Sequence, residues 1–478
     1  MLTPVLDSAS PMPLYEQIYR HIRREIESGA LPAGSRLPSK RALAAHLEVS
    51  VVTVEGAYGQ LLAEGYLRSE PKRGFFVRTP ELAGPRQPFS APYHPPVPTA
   101  PSSGALEYDF ATNAVDTVHF PFSTWAKLMR EVLSQQDSDL LSSPPPQGVP
   151  ELREAIVRYL HDFRGIQASA EQVVVGAGSE YLTSILLQLL GQDGGWAVED
   201  PGYRKFYRIL SHAGALACPI PLDGQGMRTD ALHWSGARVA HITPSHHFPL
   251  GTVMPVARRQ ALLAWASEAE NRYLIEDDYD SEFRYDGRPI PALQSLDTRE
   301  RVVYMNTFTK SLAPSLRIGY MVLPPHLLER YQKEFLFYSS TVPSFEQYTL
   351  ARFLSRGHFE RHIRRMRNTY RLRRDSLLAA AKAAGITRLG RFSGAEAGLH
   401  LLFRAPGGPS EEELVQAAAR AGVGVYPLSY YCLTPPEPDH VPTLMLGYAR
   451  LEPEDMAPAM RRLYAAWSPL FRSRETQA

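Results

Sequence analysis

The sequence predicts two domains of different fold class: a small domain of three helices and a β-hairpin, and a large α/β domain with a mostly parallel sheet. Three observations predict this division. With 478 residues the chain is too long for one compact core. Eight prolines lie between Pro80 and Pro101 and separate a short N-terminal part from a long C-terminal one. In the long part, short apolar runs alternate with helical patterns, as parallel strands joined by helices do.

Composition excludes several classes of protein. The 51 Lys and Arg balance 50 Asp and Glu, which argues against a protein that coats nucleic acid but permits a small basic patch. Two cysteines, Cys218 and Cys432, cannot form a disulfide framework and predict a reducing cytoplasm. No Cys and His cluster has zinc-ligand spacing, and no uncharged apolar run reaches the ~20 residues of a membrane span. The start, MLTPVLDSAS, lacks the pattern of a secretory signal. We expect no metal centre and no membrane contact.

The small domain is predicted to occupy residues 1–79. Its first helix lies within 14–28, where apolar side chains recur at every fourth position and form one face. These side chains are Leu14, Ile18, Ile22 and Ile26. Ser39 and Ser50 are each positioned to cap a further helix, and YLRSEPKRGFFVR at 66–78 predicts a short hairpin with a basic tip. Three helices followed by a basic β-hairpin describe a winged helix-turn-helix.

Charge alone does not assign a partner to this domain. Residues 1–80 carry 2 Lys and 8 Arg against 1 Asp and 7 Glu, so their net charge is +2. So small an excess fits a DNA-binding domain and equally fits a protein-interaction module. The residues themselves are more informative than the charge.

The stretch LPSKRALAAHLEVSVVTVEGAYGQLLAEGYL at 37–67, followed by RGFFV, resembles the GntR family of winged-helix repressors almost end to end. The resemblance implies a double-stranded DNA operator as partner. It places the start of the second helix at the DNA backbone, the third helix in the major groove and the hairpin near the minor groove. The residues that it assigns to DNA binding are Ser39, Lys40, Arg41, Thr53, Arg73 and Gly74.

One position departs from the family pattern. Val51 and Val52 stand where the family often has an arginine or another polar residue, after the VS that opens the third helix. Valine can contact a thymine methyl group but cannot make a bidentate contact to guanine. The resemblance therefore predicts the fold but not the base preference.

The rest of the chain is predicted to be a linker over 80–107 and a large domain over 108–478. So many prolines exclude a helix or a central strand in the linker, which should run as an extended spacer. Five apolar runs predict strands in the large domain: VVVGA at 173–177, WAVED at 196–200, RVAHITP at 238–244, YLIEDD at 273–278 and RVVYMNT at 301–307. Ligands of such sheets bind at the carboxyl ends of the strands.

Three polar segments occur at those strand ends: GAGSEYL at 176–182, IEDDYDSEFRY at 275–285 and NTFTKSLAPSLRIGY at 306–320. Each alone has an ordinary explanation, as a tight turn, a solvated strand end or a surface lysine. Together they fit pyridoxal 5′-phosphate. This cofactor needs an amine for its aldehyde, a carboxylate for its ring nitrogen, a donor near its phenolate and an anion site for its phosphate.

Residues of these segments suit the four tasks. Lys310 is the amine that would hold the cofactor aldehyde as a Schiff base. Asp277 would pair with the pyridinium nitrogen, and Tyr279 would donate to the phenolate. Backbone N–H groups, hydroxyls and a guanidinium fork would bind the phosphate. The phosphate-binding residues would be Gly178, Ser179, Thr307, Thr309 and Arg317.

This set resembles the fold-type I aminotransferases of the aspartate aminotransferase superfamily over roughly 108–470. The resemblance implies that Tyr203, in EDPGYRKF, stacks on the cofactor ring and that Arg450, in MLGYAR, grips a substrate α-carboxylate. In TPSHHFPLG, Phe248 replaces the asparagine that touches the cofactor phenolate in ordinary aminotransferases. His246 or His247 would compensate for it, or either is a structural histidine at a strand end.

The combination of both parts resembles the MocR subfamily of GntR regulators over nearly the whole chain. The features that support this resemblance are the winged helix, the long linker, EDPGYR, TPSH-FP-G, EDDYDSEFRY and TF-KSL-P-LRIGY. The resemblance implies that the aminotransferase-like domain senses pyridoxal 5′-phosphate, alone or with a small amino compound. It also implies a head-to-tail homodimer.

Two other functions remain open from the residues. One is a genuine aminotransferase that carries a DNA-binding domain, since Lys310, Asp277, Tyr279 and Arg450 would suffice for a half-transamination. The other is a dimerisation scaffold without cofactor. A basic segment at 358–375, with seven arginines between Arg361 and Arg374, predicts an amphipathic helix with a solvated face, or alternatively a face that meets DNA.

Overall fold

The structure is a computed structural model that describes residues 6–7, 10–78, 106–112, 114–135, 138–285, 290–435 and 440–475. The chain divides into two compact units, Met1–Ala100 and Pro101–Ala478. All of the predicted linker except its last two residues lies outside the described residues. In the part of the chain that the structure describes, no helix is both long enough and apolar enough to cross a membrane.

The first unit has the predicted three helices and hairpin. Its helices are α1 (Leu14–Glu27), α2 (Lys40–His46) and α3 (Val51–Ala63), and its strands are β1 (Arg36–Leu37), β2 (Leu67–Glu70) and β3 (Gly74–Val77). The side chain of Ser39 accepts a hydrogen bond from the Ala42 N–H, and that of Ser50 accepts one from the Thr53 N–H. Both predicted caps are therefore confirmed.

The core of this unit lies between α1 and α3. Ile18, Ile22 and Ile26 of α1 are buried against a second apolar face. That face consists of Val54, Ala57, Tyr58 and Leu61 of α3. Strand β1 was not predicted, because two residues are too few to show the alternation of a strand. It pairs with β3, so the sheet has the order β1-β3-β2.

The second unit contains fourteen of the described strands. They are β4 (Tyr108–Asp109), β5 (Val173–Gly176), β6 (Trp196–Asp200), β7 (Ala217–Asp223), β8 (Gly226–Met227), β9 (Val239–Ile242), β10 (Tyr273–Asp277), β11 (Val302–Thr307), β12 (Gly319–Val322), β13 (Arg391–Ser393), β14 (His400–Arg404), β15 (Val423–Gly424), β16 (Tyr426–Pro427) and β17 (Thr443–Gly447).

Its described α-helices surround these strands. They are α4 (Phe122–Leu133), α5 (Pro150–Arg164), α6 (Ser179–Leu190), α7 (Arg204–His212), α8 (Thr229–Trp234), α9 (Val256–Ser267), α10 (Phe308–Ser311), α11 (Pro325–Glu334), α12 (Ser344–Ser355), α13 (His358–Ala384), α14 (Glu411–Arg420) and α15 (Pro453–Glu475).

The main sheet has eight strands in the order β5-β12-β11-β10-β9-β6-β7-β8. The central pairs β11-β10, β10-β9, β9-β6 and β6-β7 are parallel, whereas β12 runs antiparallel to both of its neighbours. Every residue of β5, β6, β9 and β11 is buried, as expected for strands covered on both faces. The predicted mostly parallel α/β fold is confirmed.

A smaller antiparallel sheet, β13-β14-β17-β16, follows the main one in sequence. Its apolar side chains share a core with α13, α14 and α15.

Two of the seven arginines of the basic segment at 358–375 do not lie on its solvated face. Arg373 is buried and paired with Asp116 at 2.8 Å, and Arg374 is buried against the ring of Tyr285.

Candidate functional site

A cavity of about 380 Å³ opens at the carboxyl ends of the central strands. Loops after β5, β6, β9, β10 and β11 all contribute to its wall, as expected for a sheet of this topology. Eight of the nine predicted cofactor-binding residues line it: Ser179, Tyr203, Asp277, Tyr279, Thr307, Thr309, Lys310 and Arg317. The ninth, Gly178, directly precedes Ser179 as the N-cap residue of α6.

The N-terminus of α6 forms an anion site in this wall. Gly178 has φ +94°, a conformation that side chains other than glycine's rarely adopt. A Cβ atom there would lie 2.8 Å from an Nη atom of Arg317. Arg317 itself donates to the Ala177 carbonyl at 3.2 Å. Only glycine therefore lets the guanidinium approach the unpaired N–H groups of the helix end.

Lys310 lies on α10, the one-turn helix that follows β11. Thr307 caps this helix, and its hydroxyl lies 2.7 Å from that of Thr309. Burial lowers the pKa of the Lys310 amine to about 8, although the Asp280 carboxylate opposes the shift. A larger fraction of this amine is therefore neutral and nucleophilic near neutral pH than for an exposed lysine.

Asp277, the last residue of β10, has a hydrogen-bonding partner that the sequence did not predict. The Nε2 atom of His241 lies 3.2 Å from an Asp277 carboxylate oxygen. His241 belongs to β9, which pairs with β10, and the Phe206 ring stacks on it at 3.8 Å. The only sequence signal was one histidine within an apolar strand run. This partner orients the carboxylate at the cavity wall.

Phe248 lines the cavity, but neither neighbouring histidine does. Its ring packs edge-on against those of Tyr203, Tyr279 and Tyr431. His246 is buried, with its Nδ1 atom 2.8 Å from Asp280 and 3.2 Å from the Tyr279 hydroxyl.

His247 is buried 3.4 Å from Glu199. Burial, reinforced by His246, lowers its pKa to about 3, so it is neutral. Since neither histidine lines the cavity, the geometry favours a structural role for this pair over compensation for the missing asparagine.

Arg450, predicted to grip a carboxylate, is not among the residues that line the cavity, and its role stays a prediction. It is exposed in the bend after β17 and does not line the wall. Successive strand residues face opposite sides. Leu444 and Leu446 enter the core beneath α13, whereas Met445 packs with Phe248 at the cavity side.

The sequence did not predict Glu180, Arg208, Tyr430 or Tyr431 as lining residues, because only the fold brings them together. Glu180 accepts ion pairs from both Lys205 and Arg317 at 2.6 Å. Arg204 donates to the Tyr430 carbonyl at 2.8 Å and lies over that residue's ring. The wall holds five basic side chains (Arg204, Lys205, Arg208, Lys310 and Arg317) against the two acidic ones of Glu180 and Asp277. The cavity therefore favours an anionic ligand.

In the first unit, the predicted DNA-binding residues lie on the elements expected of them. Ser39, Lys40 and Arg41 form the start of α2. Thr53 lies in the first turn of α3, and Gly74 follows Arg73 at the tip of the hairpin. Arg73 is exposed, although it pairs with Glu70 at 2.6 Å.

The fold and the two sites define a class: a winged-helix DNA-binding unit joined to an aminotransferase-like unit. Family models match both parts. Residues 14–77 match "Bacterial regulatory proteins, gntR family", and residues 107–463 match "Aminotransferase class I and II". The chain belongs to the MocR subfamily of GntR-type transcription regulators.

Full-length relatives have the same organisation. The chain is 40% identical over 477 residues to the uncharacterized HTH-type transcriptional regulator YhdI of Bacillus subtilis, with 99% of each chain covered. It is 35% identical to the probable rhizopine catabolism regulatory protein MocR of Rhizobium meliloti, covering 98% of this chain and 96% of the relative. It is 31% identical to the pyridoxine biosynthesis regulator PdxR of Corynebacterium glutamicum, covering 89% and 90%.

Solved structures support the fold of the second unit. An archaeal alanine:glyoxylate aminotransferase is similar with a TM-score of 0.67 and 24% identity, covering 76% of this chain and 91% of the other. A Thermus thermophilus aspartate aminotransferase mutant gives a TM-score of 0.64 at 21% identity, covering 75% and 96%. At such identities the likeness concerns the fold alone.

Proposed function

We propose that this regulator binds pyridoxal 5′-phosphate in its aminotransferase-like unit and that occupancy of the cavity changes its binding to operator DNA. One observation carries the proposal. Lys310, Asp277, Tyr203 and the N-terminus of α6 line a single cavity in a chain whose other unit belongs to a DNA-binding family. Such a protein acts where the DNA lies, which we take to be the cytoplasm.

The residues of the cavity fit this cofactor. When bound, pyridoxal 5′-phosphate supplies an aldehyde that bonds covalently to an amine and a ring that withdraws electrons. Lys310 offers the amine, Asp277 the carboxylate for the ring nitrogen, and Tyr279 a hydroxyl for the phenolate. Tyr203 presents an aromatic ring from the loop after β6. These groups come from the ends of three strands, β6, β10 and β11, so the sheet sets their spacing.

The phosphate would lie at the N-terminus of α6. The backbone N–H of Ser179, the guanidinium of Arg317 and the hydroxyls of Thr307 and Thr309 supply donors there. The predicted donor at Gly178 is engaged, since its N–H donates to the Gly176 carbonyl at 2.8 Å. The excess of basic over acidic side chains in the wall compensates the charge of a dianion. This donor set is what a phosphate monoester requires.

The depressed pKa of Lys310 predicts a pH dependence of covalent capture. Only the neutral amine attacks an aldehyde, so the rate should rise with pH through about 8 and then level off. An exposed lysine would instead titrate near ~10.4. Because the Asp280 carboxylate raises this pKa, Asp280→Asn should shift the midpoint to lower pH. Stopped-flow absorbance across a pH series measures the rate.

The matched control is Asp162→Asn, which changes an exposed carboxylate on α5 and should leave the midpoint in place. A midpoint near that of an exposed lysine in the wild-type protein would contradict the assignment of Lys310 as the buried amine.

Gly178→Ala should weaken binding of the cofactor about tenfold or more, since the new methyl group displaces Arg317 and the backbone conformation is strained. Absorbance titration with pyridoxal 5′-phosphate measures the affinity. Gly214→Ala is the control, because Gly214 also has positive φ but no atom lies within 4 Å of its Cβ position. Equal affinity losses in the two variants would show that strain alone is responsible.

A small amino compound is the second ligand that we propose. The cavity extends beyond the cofactor-binding residues to Arg204, Phe248 and Tyr431, which leaves a mixed basic and aromatic wall for it. Since Arg204 and Arg208 line the cavity and Arg450 does not, a cation for an effector carboxylate would come from Arg204 or Arg208.

We also propose the head-to-tail homodimer that the family resemblance implies. Two tethered DNA-binding units raise affinity for paired half-sites through effective concentration. A ligand that favours one arrangement of these units must change DNA affinity by a reciprocal free energy, typically ~1–3 kcal/mol.

The experiment that tests the proposal is a titration of the full chain against its own upstream DNA at one stated salt concentration. It compares apo protein, protein with pyridoxal 5′-phosphate, and protein with cofactor plus a panel of amino compounds. A change in DNA affinity of about 5- to 150-fold with one ligand is expected. Binding that is indifferent to every ligand would contradict the sensor. Multiple turnovers at ~1–10³ s⁻¹ with an amino acid and a 2-oxo acid would identify an enzyme instead.

A further inference from the structure

The exposed face of α3 carries an unusual set of side chains. The opposite face is buried at Val54, Ala57, Tyr58 and Leu61, which recur with the period of a helix. The exposed positions are Val51, Val52, Glu55, Gly56, Gly59, Gln60 and Ala63. In a helix-turn-helix unit, residues at the N-terminus of this helix contact base edges in the major groove. The side chains of the first turns therefore determine which bases are recognised.

The hydrogen-bonding groups near this face are already engaged. Glu55 pairs with the Lys40 ammonium at 2.5 Å. Gln60 donates to the Glu64 carboxylate at 2.5 Å. The Thr53 hydroxyl lies 2.7 Å from the hydroxyl of Ser50, the N-cap residue. No arginine, lysine or asparagine occurs in α3, and its one glutamine, Gln60, lies in the third turn and is bonded to Glu64. The first two turns of this helix therefore lack the side chains that bind guanine or adenine in a bidentate manner.

The two glycines on this face leave the valines as the projecting groups. Gly56 and Gly59 have no side chain, and both positions are exposed. Val52 is 74% exposed and Val51 is 42% exposed, although valine in this unit is otherwise mostly buried. The methyl groups of Val52 are thus exposed at the N-terminus of α3.

We propose that Val52, with Val51 beside it, recognises thymine by apolar contact with its C5 methyl group in the major groove. Thymine is the base that presents an apolar group there. Arg41, which is exposed in the first turn of α2, supplies positive charge for the flanking phosphates. Each operator half-site then carries thymine at the position opposite Val52. This inference rests on DNA binding by the GntR-type unit and is independent of the cofactor.

The test begins with selection of duplexes from a random pool by the full-length protein, at fixed salt and with pyridoxal 5′-phosphate present. Each thymine of the selected half-site is then replaced by deoxyuridine, which removes only the methyl group. For the contacted thymine, affinity of the wild-type protein should fall about fourfold, as expected for one buried methyl group. Val52→Ala should bind the thymine and deoxyuridine duplexes equally, whereas Val52→Ile should retain the difference.

Arg41→Gln is the matched control in the same unit. Loss of a phosphate contact should weaken binding to every duplex alike and reduce the salt dependence, while sensitivity to the methyl group persists. Because Val52 and Arg41 are both exposed, neither change removes a core contact of the small unit.

Three results would overturn the inference. Wild-type protein that binds equally with deoxyuridine at every thymine has no methyl contact. If Val52→Ala keeps the full methyl sensitivity, another group recognises thymine. If no duplex is enriched, specific DNA binding itself fails, and the inference fails with it; the first two results leave DNA binding intact.

Discussion

Lys310→Ala should abolish covalent attachment of pyridoxal 5′-phosphate altogether. Lys310 is the lysine that lines the floor of the cavity on α10, and its buried amine has a pKa lowered to about 8. The other lining lysine, Lys205, is held by Glu180 at the wall formed by α7. Borohydride reduction followed by denaturation and mass spectrometry measures the attachment. We expect a cofactor adduct in the wild-type protein and none in the variant.

The matched control for this change is Lys333→Ala, which removes an exposed lysine on α11 that does not line the cavity. Its adduct should form at the wild-type level. An adduct that persists unchanged in Lys310→Ala would make the assignment of the amine wrong, and peptide mapping would then identify the lysine concerned.

Arg164→Met should destabilise the second unit by about 3–5 kcal/mol, because it leaves a carboxylate buried without its counter-ion. Arg164 lies 2.8 Å from Asp278, and the two side chains are 3% and 0% exposed. Arg164 also donates to the Ser245 hydroxyl at 2.6 Å, and Tyr304 donates to Asp278 at 2.5 Å. Asp278 directly follows Asp277, so this network supports the strand end that enters the cavity.

Urea unfolding followed by tryptophan fluorescence measures this effect in the second unit, since all five tryptophans of the chain lie after residue 100. Arg158→Ala is the control on the same helix: its guanidinium is 60% exposed and 3.8 Å from Glu154, so the change should cost less than ~0.5 kcal/mol. Removing both charges with Arg164→Met and Asp278→Leu should restore part of the lost stability. A wild-type midpoint for Arg164→Met would show that the pair contributes little.

Local sequence signals predicted the elements whose pattern depends on few neighbours. Apolar runs predicted the strands β5, β6, β9, β10 and β11, because both faces of these strands are covered. Two helix starts were predicted from Ser39 and Ser50, because a capping hydrogen bond is local. That these residues line one cavity was predictable for a related reason. In a parallel sheet the carboxyl ends of the strands meet at one edge, so polar residues after each strand converge there.

The remaining features depend on contacts between distant segments. His241 becomes the partner of Asp277 only through the pairing of β9 with β10. Glu180 joins Lys205 to Arg317 across 25 and 137 residues of sequence. Arg450 was placed in the cavity from its motif, but it lies in the bend after β17 and is not among the residues that line the cavity. Contacts between residues so far apart in the sequence leave no local pattern from which they could be predicted.

The central claim is that cofactor binding and DNA binding are thermodynamically coupled within one chain. The most direct measurement is the affinity of the full-length protein for pyridoxal 5′-phosphate, with and without saturating operator DNA, at one salt concentration. By reciprocity, DNA must change the cofactor affinity by the same factor by which the cofactor changes the DNA affinity. We predict a factor of about 5 to 150, equal in both directions. Equal cofactor affinities with and without DNA would contradict the account.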